Sequence, residues 1–174
     1  DYKVAYGLSS VGLRYFNAAG ADPEAEIGEL REKETHIIPL AIDAVKQGKT
    51  FKIFGDKYDT DDGTCVRDYV HVMDLADAHI KSLNYASENQ VAEVFNLGSG
   101  APASNKQLID AVQKHAGTMK VEMHENRPGD PAYLVADITK VKQTLDWKPT
   151  QSSVDNVVAT AVKWYNKTHK KEIQ

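Results

Sequence analysis

Two short segments carry side chains whose types and spacing suit an anionic ligand. The first, YDTDDGTCVRDYVHVMD at residues 58–74, sets Arg67 among five aspartates and beside the only cysteine of the chain. The second, RPGDPAYLVAD at residues 127–137, puts Arg127 and Asp130 in a turn stiffened by Pro128, Gly129 and Pro131. A guanidinium forks onto two phosphate oxygens, while a carboxylate accepts from sugar hydroxyls. Arg67 and Arg127 together would serve one diphosphate. A local Arg127–Asp130 salt bridge that only caps the turn is an equal reading of the same residues.

A third segment, LRYFNAAGADP (13–23), places Arg14, Tyr15, Phe16 and Asn17 at the carboxyl end of an apolar strand. Ligands of open α/β sheets bind at such ends. Asn17 both donates and accepts, which suits a phosphate or a hydroxyl, although an asparagine that merely caps the strand end fits equally well.

Other chemistries fit less well. NLGSGAP (96–102) stands between a strand and a helix but lacks the third glycine of a dinucleotide loop. No acidic residue follows it about 20 positions later at the end of a second strand, so a plain strand-to-helix turn is the better reading. No Walker sequence is present. None of the six histidines joins a second ligand pair at the i, i+4 spacing of a helical zinc site, so no metal is expected. Cys65 has only Arg67, on the same strand face, to activate it, and is not expected to be catalytic.

The elements that must position these residues follow from hydrophobic periodicity. SVGLRYF (10–16), FKIFG (51–55), VRDYVHV (66–72), EVFNLG (93–98), TMKVEMH (118–124) and LVAD (134–137) read as strands. HIIPLAIDAVKQG (36–48) reads as a helix with Ile37, Leu40, Ala41, Ala44 and Val45 on one face and Gly48 as its stop. Asp74 is expected to cap a helix running to about Ala86, and Ser104 with Gln107 forms a capping box for a helix ended by Gly117. ITKVKQTLDW and SVDNVVATAVKWYNKTH supply two closing helices. Strands separated by helices imply parallel pairing and an α/β fold.

With 174 residues the chain can bury one sizeable core or parts of two domains. A net charge of −4 disfavours nucleic acid or an anionic membrane as partner. No apolar run approaches the roughly 18 residues that span a bilayer. A single cysteine forms no internal disulfide and suits a reducing cytoplasm, the expected location. The chain opens on Asp1 with the exposed tail of a helix and a Gly7 stop, which predicts further sequence before it.

RYFNAAGADP, THIIP, IFGDKYDTDDGTCVRDYVHVMDLADAH, NLGSG and RPGDPAYLVAD occur in the order seen in UDP-glucose 4-epimerases, which are extended short-chain dehydrogenase/reductases. The chain resembles their C-terminal half over nearly its whole length. The resemblance implies the last strands of a Rossmann-type parallel sheet (residues 1–18 and 68–98) and most of a smaller α/β UDP-sugar-binding domain (residues 19–67 and 99–174). In that family NAD takes the hydride from C4 of the UDP-bound hexose and returns it to the opposite face. UDP-glucose and UDP-galactose are thereby interconverted. The family's G-x-x-G-x-x-G loop and catalytic Tyr-x-x-x-Lys are not found in this sequence. The resemblance therefore implies a UDP-sugar-binding half without a catalytic residue of its own, a partner N-terminal cofactor half, and a homodimer when full length.

Position by position, Asn17 resembles the asparagine that bonds substrate near its phosphate. His36 and Ile37 fall where a polar residue and a leucine approach the nucleotide sugar. Lys52, Ile53 and Phe54 match the strand whose backbone pairs with uracil. Arg67 and Arg127 resemble the two diphosphate arginines, Asp130 the carboxylate on the ribose, and Tyr69 lines the same side. Phe16 resembles a residue whose backbone lies beside the nicotinamide. Histidine at 36 departs from the asparagine of some members. Leu134 falls where a tyrosine excludes N-acetylated sugars in some members. Two alternatives remain: another nucleotide-sugar enzyme of the superfamily, or a UDP-sugar-binding module without chemistry.

Overall fold

A computed structural model describes residues 1–169. The last five positions of the second expected domain segment lie outside the described residues. After a short helix α1 (Tyr2–Tyr6), closed by Gly7 in the left-handed conformation, β1 (Ser10–Tyr15) begins. It pairs in parallel with β6 (Ala92–Leu97), Ser10 opposite Ala92 and Tyr15 opposite Leu97. The chain then changes partner within two residues. The Phe16 amide donates to the Leu97 carbonyl at 3.1 Å, and the Asn17 amide donates to the Asp68 carbonyl at 3.0 Å. From there β2 (Asn17–Ala19) runs parallel to β5 (Tyr69–His71).

Residues 66–72 are not one strand. Val66–Arg67 form β4, which pairs antiparallel with β7 (Ala103–Ser104) and parallel with β9 (Tyr133–Leu134). Asp68 then breaks the ladder because its buried carboxylate is held sideways. It accepts from the Ser99 amide at 2.6 Å and the Ala136 amide at 3.2 Å. The expected strand over 134–137 contracts to Tyr133–Leu134 for the same reason, since Ala136 is drawn to Asp68.

The remaining strands, β3 (Phe51–Phe54) and β8 (Val121–His124), form a separate parallel pair. Helix α2 (Ile37–Gln47) ends at Gly48 as expected, but its buried residues are Ile38, Ala41, Ile42 and Ala44. Leu40 is 38% exposed. The stripe is rotated because α2 packs against both α4 (Asn105–Ala116) and α6 (Val154–Thr168). The Ser104–Gln107 capping box on α4 forms in full.

Asp74 does not cap its helix. The N-cap of α3 (Val72–Asn89) is His71, whose Nδ1 accepts from the Met73 amide at 3.1 Å. The Asp74 carboxylate is buried and accepts from the Thr150 and Gln151 amides, each at 2.9 Å, and from the Ser152 hydroxyl. A buried carboxylate needs several donors, and the tertiary contact supplies them better than a helix end does.

Two apolar clusters result. One joins α2, α4 and α6 over β3 and β5. The other packs α3 and α5 (Thr139–Leu145) around Phe95, Leu97 and the fully buried Trp147. No helix of the described residues is long and apolar enough to cross a membrane.

Candidate functional site

Arg67 leaves β4 with a side chain only 12% exposed. One guanidinium nitrogen donates to the Val66 carbonyl at 2.8 Å, and another is bonded to the Asp130 carboxylate. Asp130 sits in the turn before β9, with its amide donating to the Arg127 carbonyl at 3.2 Å. The local Arg127–Asp130 salt bridge does not form. Arg127 lies instead over the Phe54 ring, 4.3 Å from its centroid, a cation–π contact. The two arginines are thus tied to one turn but engage different groups.

Phe54 ends β3, and its ring lies 5.4 Å from that of His124. The Phe51 amide donates to the Lys120 carbonyl just before β8 at 2.8 Å, and the Gly55 amide to the His124 carbonyl at 2.9 Å. Backbone groups alternate along a strand, so those of Lys52 and Phe54 face the opposite edge. That edge has no ladder partner among the described residues. Ile53 turns its side chain into the core and its amide toward β8. Leu134 stands beside Arg67 across the β4–β9 ladder, 48% exposed.

The remaining candidates meet at a cavity of about 430 Å³. Phe16, Asn17, His36, Ile37 and Tyr69 line it, with Trp164 and Tyr165 of α6 as one wall. Asn17 lies directly opposite Tyr69 on β2 and β5, and its side-chain amide donates to the Asp68 carbonyl at 2.8 Å. Trp164 fixes the loop that carries His36: its indole N–H donates to the Glu29 carbonyl at 2.7 Å, and its ring fills the space a side chain at Gly28 would need. His36 Nδ1 is 2.7 Å from Glu29 Oε1. Glu29, Glu34 and His36 bring their polar atoms within 4.8 Å of one another, but Glu29 also takes Arg31 Nε at 2.6 Å. That cluster is closed on itself.

Electrostatics sort the groups into donors and anchors. Burial pushes the Tyr69 phenol far above its ordinary range. The Tyr165 phenol is pushed up to about 12, by burial first and then by its bond to Asp43 at 2.8 Å. Both tyrosines stay protonated at neutral pH, and Tyr165 donates its proton to the Asp43 hydrogen bond. Burial also raises the Cys65 thiol, and the Asn105 side chain donates to its sulfur at 3.1 Å, so Cys65 is a packed thiol and not a nucleophile.

Asp68, Trp164 and Tyr165 were not singled out by sequence reasoning. The RDY tripeptide was a visible signal for Asp68. The α6 aromatics read as the apolar face of a closing helix and carried none.

Residues 1–98 match the profile of the NAD dependent epimerase/dehydratase family. The chain belongs to that family. It is homologous to UDP-glucose 4-epimerases. It is 48% identical over 169 residues to the UDP-glucose 4-epimerase of Rhizobium meliloti, covering 96% of this chain and 51% of that protein. Among solved structures it is similar to the UDP-glucose 4-epimerase of Brucella ovis in complex with NAD. There the TM-score is 0.87 at 39% identity, over 94% of this chain and 51% of the other. The UDP-glucose 4-epimerase of Bifidobacterium longum in complex with NAD+ and UDP gives a TM-score of 0.83 at 36% identity, over 96% and 50%. The chain spans about half the length of the relatives it matches. For this epimerase/dehydratase family member, the α/β fold with parallel strands follows from these likenesses as well as from its own sheets.

Proposed function

We propose that this chain is the UDP-sugar-binding half of an NAD-dependent UDP-glucose 4-epimerase that interconverts UDP-glucose and UDP-galactose through a 4-keto sugar. The observation that carries this reading is its likeness to UDP-glucose 4-epimerases over 96% of its length. Residues 1–18 and 68–98 belong, in this reading, to the cofactor domain, and residues 19–67 and 99–174 to the UDP-sugar domain.

Arg67 supplies positive charge to the diphosphate, and the Arg127 guanidinium over Phe54 supplies a second. The unpaired backbone edge at Lys52 and Phe54 offers donors and acceptors to the uracil. Asp130 accepts from a ribose hydroxyl, while Asn17 and Tyr69 donate toward the substrate from the β2–β5 pair. His36, Ile37 and Leu134 bound the space left to the sugar. Binding energy is placed on the nucleotide, which does not react, so the hexose stays free to turn over between two hydride transfers.

NAD, when bound, takes up and returns the hydride at C4. Of the residues present, Phe16 fits it: it lies between β1 and β2 in the lining of the cavity, with its amide donating to the Leu97 carbonyl.

Titration calorimetry with UDP tests the binding role, and absence of binding overturns it. An assay with UDP-galactose and added NAD is expected to show no turnover by this chain alone. Activity above a no-protein control refutes that part of the reading.

A further inference from the structure

The Tyr58 hydroxyl oxygen is buried with no hydrogen-bond partner. Its position is not an accident of a loose loop. The Tyr58 amide donates to the Gly63 carbonyl and the Thr60 amide to the Tyr58 carbonyl, both at 2.9 Å. The Tyr58 ring lies over Gly55, where φ is 95° and any added side chain would strike the ring. A left-handed glycine thus makes room for a phenol whose polar end is left unpaired, and such groups call for an explanation.

The groups around that phenol supply one. Asp130, Cys65 and Arg67 are the charged or titratable groups that act on it, and the Arg127 amide faces it without reaching hydrogen-bond geometry. Burial and the Asp130 charge keep the phenol protonated, so it is a donor without an acceptor. Of the groups acting on the phenol the only carboxylate is that of Asp130, which Arg67 holds. An anion arriving at Arg67 competes with that carboxylate for the same guanidinium.

We propose that Tyr58 is a positioning residue of the anion site: when a ligand phosphate takes Arg67, Asp130 turns to accept the Tyr58 hydroxyl. This rests on the reading of Arg67 as a diphosphate ligand. The exchange leaves no charge stranded. The guanidinium trades a carboxylate for a phosphate, and the carboxylate trades a guanidinium for a phenol. Its second oxygen stays free for a sugar hydroxyl.

Tyr58→Phe keeps the ring over Gly55 and removes only the hydroxyl. Calorimetry with UDP is expected to show about tenfold weaker binding, the scale of one hydrogen bond to a charged group. The melting temperature without ligand is expected to be unchanged or higher, because the hydroxyl has no partner in that state. In an Asp130→Ala background, adding Tyr58→Phe is expected to change UDP affinity by less than twofold. Unchanged affinity in Tyr58→Phe overturns the proposal, as does an equal loss in the Asp130→Ala background or a lowered melting temperature without ligand. Arg67→Ala separates the two ideas. If it leaves UDP affinity unaltered, the diphosphate reading fails. If it weakens UDP while Tyr58→Phe does not, only the role of Tyr58 fails.

Discussion

Arg67 and Asp130, 63 residues apart in sequence, form an ion pair because β9 runs parallel to β4 and sets Leu134 opposite Arg67. The guanidinium is mostly covered and the carboxylate is a third exposed. Asp130 therefore neutralises a poorly hydrated cation while remaining displaceable from the solvent side. That is the arrangement expected of an anion site at rest.

Arg67→Ala removes the cation that the proposed diphosphate would meet. UDP binding is expected to weaken by about 1.5–3 kcal/mol, the range for hydrogen bonds to charged groups. Isothermal titration of the parent and the variant measures the difference, and equal affinities would reject the assignment.

Gly98→Ala tests the Asp68 junction. A Cβ at Gly98 would meet the Asp68 carboxylate and come within 2.6 Å of the Ala136 Cβ. The cost is steric, because Gly98 has no positive φ. A loss of about 1–3 kcal/mol is expected from overpacking, read as a lowered midpoint in urea. A stability within error of the parent contradicts the close packing described.

Asp74→Ala strips the acceptor from the Thr150 and Gln151 amides and the Ser152 hydroxyl. Only the Ser152 hydroxyl is buried, while Thr150 and Gln151 are exposed and can turn their amides to water, so a destabilisation of about 1–3 kcal/mol is expected by chemical denaturation. A change below 1 kcal/mol would show that water replaces the carboxylate freely.

His71 gives the stability a pH dependence. It is fully buried, its Nδ1 accepts from the Met73 amide, and its Nε2 lies 3.0 Å from the Thr160 hydroxyl. Burial lowers its pKa below the ordinary 6.5, against a smaller opposing pull from Asp74. Between the folded-state pKa and 6.5 the unfolded chain binds the extra proton, so stability rises with pH there. It is complete above 6.5 and is lost as pH falls through the folded-state value. Melting curves of His71→Gln should show a flatter pH response across that window than the parent, and an identical slope would exclude His71 as its source.

Much of the local structure was legible in the sequence. Gly48 as a stop, the Ser104–Gln107 box and four of the six expected strands depend on residues close in the chain, and each forms near its expected place. The exceptions are instructive. Asp74 has the composition of a cap, yet four hydrogen bonds made by residues 71–73 and 150–152 decide otherwise. His71 takes the helix end, and Asp74 takes the distant loop. The strand over 66–72 has an unbroken β pattern, and only the amides of Ser99 and Ala136 reveal why it breaks at Asp68.

By itself the sequence determined the α/β class, the Gly48 stop, the Ser104–Gln107 cap and the family, because these rest on periodicity, capping residues and ordered motifs. Tertiary structure alone decided which charge meets which. Proximity in RPGD suggested Arg127 with Asp130, but a turn fixes backbone, not side-chain partners. Strand β9 carried Asp130 to Arg67, Phe54 drew Arg127 onto its ring, and Tyr58 was left beside them without an acceptor. Charge pairing acts through space over a few ångströms, so it is settled by packing between segments far apart in the chain.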